Sequence, residues 1–256
     1  MSLPNTSEPA AFFSGAEKRA PAARLGVLVV HDLVAMIVTG AVSAGQLLPP
    51  EGELAAHFGV SRTVIRESVK RVDEKGLVTV AQGRGTTVNE PSAWNVLDPV
   101  VLSALVDHDA SLGVLDELTI VRSSLEASMA ATAARRQTPE RSAELRAAFE
   151  ATERNLGDFE AYNDADAAFH YAIMEQSGIR LAANITRILF ARARASSRFT
   201  GSPGEDAMRI TLDEHHAILD AIVSGDTEAA SRAMSDHISR AWERRRPSDG
   251  APRHTD

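Results

Sequence analysis

Apolar residues recur at helical spacing along most of the chain. Arg24 to Gly40 carries Leu25, Leu28, Val29, Leu33 and Ile37, three to four residues apart or adjacent on one face, and stops at a glycine. After the connector Gly45-Gln-Leu-Leu-Pro-Pro50 a short helix is predicted over Glu51–Phe58, closed by Gly59. Ser61 caps a third helix that runs to about Lys75 and stops at Gly76; Val64 stands where a capping box needs Glu or Gln, so the serine acts alone. The period then changes. Leu77–Ala81 and Thr86–Asn89 are β-prone runs around the turn Gln82-Gly83-Arg84-Gly85, which predicts a hairpin. Three helices followed by a hairpin make a winged helix-turn-helix.

From Leu97 onward the pattern is Ala- and Leu-rich and helical throughout. Helices are predicted near 97–107, 111–136, 138–156, 158–177, 180–200, 205–224 and 226–246, with breaks at or before Gly113 and at Thr138-Pro139, Gly157, Gly178, Gly201–Gly204 and Gly225-Asp226. The expected fold is therefore mostly α: an N-terminal winged helix-turn-helix over residues 22–90, a polar linker over 91–98, and a C-terminal all-α antiparallel helical bundle over 99–246. Residues 1–21 read as a disordered tail and 247–256 as a second, frayed one.

Composition narrows the class. A chain of 256 residues suits two modest domains, and 44% hydrophobic with 24% charged residues is ordinary for a globular protein. The absence of cysteine excludes disulfide scaffolds, thiolate metal sites and cysteine nucleophiles. The longest strongly apolar stretch near the start, Leu25–Val30, is far short of a membrane span and precedes no cleavage site, so a cytoplasmic protein without membrane contact is expected. The net charge of −8 argues against nucleic acid only until it is mapped: the first 92 residues carry nine basic and nine acidic side chains, the remainder 18 and 26. Between Val60 and Val72, Arg62, Arg66, Lys70 and Arg71 face Glu67 alone, a local basic helix.

That helix has the chemistry of a DNA reader. Arg62 and Arg66 are four apart and share a face, and Arg pairs bidentately with guanine O6 and N7. Ser61 and Thr63 at the helix start suit phosphate oxygens, and Arg84 at the hairpin tip, flanked by Gly83 and Gly85, can reach a groove. The same arginines would also serve as a solvated face with Glu67. The segments Leu48-Pro-Pro-Glu-Gly-Glu-Leu54, Gly59-Val-Ser-Arg-Thr-Val-Ile-Arg-Glu67, Lys75-Gly-Leu77 and Gly83-Arg-Gly-Thr86 resemble the winged-helix signature of GntR-type bacterial transcription regulators. The resemblance implies operator contacts from Ser61, Arg62, Thr63 and Arg66 and a wing contact from Gln82, Gly83 and Arg84. The chain departs from that family at Gly52, where an Arg is common.

A second constellation lies in the helical region. Asp166 and His170 are four apart on one helix face, His215 follows Glu214, and His237 lies in Met234-Ser-Asp-His237. One carboxylate and three imidazoles suit a divalent transition ion, zinc first, with Ni, Mn, Fe or Co as alternatives. A six-coordinate ion would leave two positions for water or a chelating carboxylate, and a four-coordinate one would be closed and structural. Spacing alone leaves solvated helical residues as the competing reading. Asp166-x-x-Phe-His170, Glu214-His215-x-x-Ile-Leu-x-Ala-Ile222, Gly225-Asp226 and Met234-x-x-His237 are similar to the FCD effector domain of the FadR-like branch of the same family. That resemblance implies that the four residues are metal ligands. His216, about 100° away from His215, is expected at the surface, and His31, His57, His108 and His254 show no partner pattern. Arg122 sits in an apolar helical face, either as a salt bridge to Glu126 or as an effector-binding carboxylate clamp, and the resemblance supports the clamp. Which of Arg192, Arg194 and Arg198 face inward is open. The segment Ser92-Ala-Trp-Asn-Val-Leu-Asp-Pro-Val-Val-Leu102 resembles that of sugar-acid-responsive members.

Together these readings predict a homodimeric transcription regulator, a repressor, on a palindromic operator in double-stranded DNA, controlled by a small carboxylate or sugar-acid effector at the metal site, and not an enzyme. The alternatives are a helical metalloenzyme with a DNA-binding appendage, disfavoured because no Glu-x-x-His pair repeats as in di-iron bundles, and a regulator whose metal is purely structural.

Overall fold

The structure, a computed structural model, describes residues 22–109, 111–195 and 204–246. The expected tails, Arg198 and His254 lie outside the described residues. The chain forms two compact units that divide between Asn95 and Val96.

In the first unit, helices α1 (Ala22–Val38), α2 (Glu51–Phe58) and α3 (Arg62–Glu74) precede strands β1 (Val78–Ala81) and β2 (Gly85–Val88). Leu33, Val34, Ile65, Val72 and Leu77 are fully enclosed and form its centre. Ser61 Oγ accepts the Val64 N–H at 3.3 Å, the plain serine cap. At the other end of α3, the Gly76 N–H bonds Asp73 O and the Leu77 N–H bonds Val72 O, a Schellman closure that needs the left-handed φ of 79° at Gly76. The strands pair antiparallel with Val78 opposite Val88 and Ala81 opposite Gly85. The connector joins them, with Leu47 bridged to Thr87.

The stretch expected as a polar linker is in part packed onto this unit. Pro91–Ala93 makes a single 3-10 turn, the Trp94 Nε1–H donates to Asn89 O at 3.1 Å, and the Asn95 N–H donates to Lys75 O at 2.9 Å. An indole N–H that finds a backbone acceptor ties this segment to the domain.

The second unit is all-helical: α4 (Pro99–His108), α5 (Gly113–Ala134), α6 (Pro139–Arg154), α7 (Phe159–Ser177), α8 (Arg180–Ala195), α9 (Glu205–Val223) and α10 (Thr227–Arg245). Asp98, Thr138, Asp158 and Asp226 cap four of them by accepting backbone N–H groups. The start of α5 falls later than its periodicity predicts. Leu112 has φ 64°, and Asp109 takes the N–H groups of Ser111 and Val114, which holds the chain in a loop until Gly113. Helix α5 packs against α7, α8, α9 and α10. One apolar cluster joins it to Leu145, Phe149, Phe169, Ile173, Ile218, Ile222 and Met234, and another joins Leu115 and Leu118 to Leu102 and Val106 of α4, Leu189 of α8 and Trp242 of α10. Among the described residues no helix is long and apolar enough to cross a membrane.

A Cβ at Gly76 would stand 2.3 Å from Ala93 O. Gly76→Ala is therefore expected to lower the stability of the first unit by about 2 kcal/mol or more. Gly40→Ala, at a similar φ of 75° with nothing within 4 Å, costs only the backbone strain, about 1 kcal/mol. Chemical denaturation of both variants checks the contrast.

Candidate metal centre and nucleic-acid interface

The polar side chains at the centre of the helical unit come from four helices. Helix α5 is apolar along most of its buried face yet also buries Arg122 and Glu126 there. Helix α7 buries Asp166 and His170, α9 buries His215, and α10 buries His237. The donor nitrogens of His170, His215 and His237 all lie within 4.8 Å of one another. His237 Nε2 is 3.2 Å from His215 Nε2 and 3.2 Å from His170 Nε2. Asp166 Oδ1 stands 3.5 Å from His215 Nε2. Three of the four expected ligands, the histidines, thus converge, and Asp166 stands beside His215 outside that group.

Two carboxylates set which ring nitrogen carries the proton. His170 Nδ1 is 2.6 Å from Glu126 Oε2, and His237 Nδ1 is 2.9 Å from Glu214 Oε2. An ionised carboxylate only accepts, so both Nδ1 atoms carry hydrogen and donate. With hydrogen on Nδ1, a neutral ring presents its Nε2 as a lone pair. Burial, followed by the other imidazoles, holds His215 well below the usual imidazole range, and burial also lowers His237, so these rings stand neutral. Where two such lone pairs face one another, as at His170 and His237 at 3.2 Å, they repel unless a cation lies between them. Two nitrogens each ~2.0–2.1 Å from one ion, at right to tetrahedral angles, lie roughly 2.9–3.4 Å apart. The residues therefore fit a divalent ion. His215 differs in one respect: its buried Nδ1 has no hydrogen-bond partner among the described residues.

The carboxylates are themselves held. Arg122 Nε donates to Glu126 Oε1 at 2.9 Å. Burial pushes the Glu126 pKa up, but Arg122 and His170 outweigh it and bring it down to about 2. Arg244 grips Glu214 through both terminal nitrogens, at 2.8 and 2.7 Å. There too burial opposes, while the hydrogen bonds from His237 and Arg244 prevail, and the value falls to about 2. Neither Glu126 nor Arg244 is singled out by sequence reasoning as part of this site. Glu126 was legible only as the salt-bridge partner of Arg122, and a Glu four residues after an Arg carries no hint of a third partner on another helix.

The cluster opens on a cavity of about 20 Å³ bordered by Thr119, Arg122, Asp166, Phe190, Trp242 and Arg245. It has room for an ion or a water molecule. The Arg122 guanidinium lies over the Phe190 ring, 4.0 Å from its centre. Arg192 and Arg194 do not border the cavity: they pair with Asp107 at 2.6 Å and Asp164 at 2.7 Å. His216 is on the outside, 3.2 Å from Asp220.

In the first unit Ser61, Arg62, Thr63, Arg66, Gln82, Gly83 and Arg84 are all exposed. Ile65, Ser68, Val69 and Val72 seat the opposite face of α3. Arg66 is not loose in solvent: its Nε and terminal nitrogen meet Glu51 at 3.1 and 2.9 Å. The Arg62 guanidinium lies over Gly52, 3.2 Å from where a Cβ would be. The small residue at 52 leaves that space to Arg62.

The chain combines a winged helix-turn-helix unit with a helical unit that buries a cluster of imidazoles. Residues 26–88 match the family described as bacterial regulatory proteins, gntR family, and residues 117–240 match the FCD domain. The galactonate operon transcriptional repressor of Escherichia coli strain K12 is 31% identical over 84% of this chain and 94% of that protein. The HTH-type transcriptional repressor NanR of Klebsiella aerogenes is 30% identical over 88% of each. The solved structure of Lar, described as controlling expression of the Listeria monocytogenes agr system, shares the fold at a TM-score of 0.55 and 18% identity, over 86% of this chain and 96% of that one. The chain belongs to the GntR family of bacterial transcription regulators, with an FCD domain. It is a DNA-binding transcription regulator, and its relatives are regulators rather than enzymes.

Phe169, fully enclosed, lies 4.7 Å ring to ring from His215 and 6.2 Å from Phe149. Phe169→Ala removes the wall behind His215 and is expected to cost about 3–5 kcal/mol, read from the denaturation midpoint.

Proposed function

We propose that this protein is a metabolite-responsive repressor whose operator affinity is set by a small carboxylate bound beside a metal ion in the helical unit. Asp166, His170, His215 and His237 would hold the ion, with zinc the first choice and Ni, Mn, Fe or Co the alternatives. When bound, the ion supplies an open coordination position for an acid oxygen. Arg122 would take the rest of that carboxylate. A homodimer would carry two α3 helices to successive major grooves of a palindromic operator, with Arg62 and Arg66 on base edges, Ser61 and Thr63 on phosphates, and Gln82, Gly83 and Arg84 at the wing.

The observation that carries the reading is the convergence of three buried imidazoles, two of them oriented by dedicated carboxylates, next to a buried guanidinium. A chain that buries this much polar chemistry without a guest would lose stability by it. The small cavity supports a regulatory reading as well. A sugar acid does not fit about 20 Å³, so side chains such as Arg122 or Phe190 must move to admit it. Binding that requires movement favours one arrangement of the bundle over another, which is what a ligand needs in order to shift an equilibrium. The repressor names of the relatives support the sign of regulation, and the galactonate operon of one of them supports a sugar acid as the effector class.

Thermal unfolding with and without chelator tests the metal. Chelator is expected to lower the midpoint of the wild type and to leave His237→Ala, which binds no ion, unmoved. An equal response in both would remove His237 from the site. For the DNA surface, Arg62→Ala and Arg66→Ala should each weaken operator binding about ten-fold or more at fixed salt while the unfolding midpoint stays in place. Fluorescence anisotropy with a labelled operator duplex reads this, and unchanged affinity would sink the base-reading role. A screen of sugar acids and dicarboxylates should yield an acid that raises the midpoint of the metal-loaded protein and not of Arg122→Gln.

A further inference from the structure

Glu126 touches both halves of the proposed site. Its Oε1 receives the Arg122 Nε–H at 2.9 Å, and its Oε2 receives the His170 Nδ1–H at 2.6 Å. The side chain is buried, as are both partners. A carboxylate shared between a guanidinium and an imidazole gives less electron density to the ring than one facing the ring alone. Low surrounding polarity keeps that difference unscreened.

We propose that Glu126 is a positioning residue that couples the anion-binding arginine to the metal-binding histidine, so that a carboxylate on Arg122 and an ion on His170 raise each other's affinity. This rests on the metal-site reading above. An anion that draws Arg122 toward the cavity loosens its hold on Oε1. The carboxylate then turns its charge to His170, whose Nε2 becomes the stronger donor. Linkage makes the effect reciprocal: the loaded ion commits Glu126 to His170 and leaves Arg122 more available to an acid. Arg244 and Glu214 have no such role, because Arg244 does not border the cavity.

The test is a double-mutant cycle on Co2+ affinity, by equilibrium dialysis of the full chain, with the d–d absorbance of bound Co2+ recorded in each variant. Glu126→Gln is expected to weaken Co2+ binding about ten- to hundred-fold. Arg122→Gln, which imitates withdrawal of the guanidinium, is expected to tighten it roughly five-fold or more. In the Glu126→Gln background the same Arg122→Gln change should shift affinity less than about two-fold, since its route is gone. Equal tightening in both backgrounds would mean that Arg122 acts as a plain repelling charge, and the coupling would be overturned. So would a Glu126→Gln protein with wild-type affinity and spectrum. Glu126→Asp keeps the charge against Arg122 but is one methylene too short to span both partners, and serves in the same cycle should Glu126→Gln fail to fold. A folded wild type that takes up no Co2+ would instead defeat the metal-site reading itself.

Discussion

Three imidazoles at the buried centre of a helical bundle are the constraint around which the second unit is built. A buried polar ring is costly unless its nitrogens are satisfied, and satisfying one with a carboxylate only moves the cost to a buried charge. The structure answers with two parallel chains of the same order, guanidinium to carboxylate to imidazole. Arg122, Glu126 and His170 form one, and Arg244, Glu214 and His237 the other. Each chain crosses between helices: the first ties α5 to α7, the second ties α9 to α10. The polar network therefore does for the bundle what an apolar layer would do elsewhere, but it admits far fewer arrangements, because every donor must meet its acceptor.

The surrounding residues make that network stiff. Phe169 and Phe190 flank the rings, and the Trp242 indole at the cavity wall donates to Asp116 at 2.6 Å, which fixes the end of α10 against the start of α5. Trp242 also belongs to the apolar cluster that contains Leu102 and Val106 of α4. The wall of the cavity and the helix nearest in sequence to the DNA-binding unit are thus parts of one packed layer. A close-packed layer cannot yield at one point without adjusting at its neighbours.

The first unit solves a different problem. Its proposed readers must be exposed and yet held. α3 achieves this by seating one apolar face and leaving the other to solvent, with Glu51 holding Arg66 and the bare surface of Gly52 accommodating Arg62. Exposed ion pairs contribute little to stability. For the base contact proposed for Arg66, the value of the Glu51 contact lies in where it puts the guanidinium, since an arginine already confined loses less freedom on reaching a base edge.

The order of elements was legible in the sequence, because periodicity and punctuation are local. Ser61, Gly76 and the glycines of the wing announce the winged helix, and the helical unit differs from its expected boundaries by a few residues, most visibly where Asp109 and Leu112 delay α5. Asp166 and His170 could be placed on one face because four residues make nearly one turn. His215 and His237 could be joined to them only through family resemblance, since nothing in helical spacing brings α9 and α10 to α7. Glu126, Glu214 and Arg244 show the same limit from the other side. Their partners lie on other helices or answer to two groups at once, and local sequence records neither. Which nitrogen bears a proton, and how small the cavity is, follow from packing in three dimensions, where the burial that forces each polar group to find a partner first comes into being.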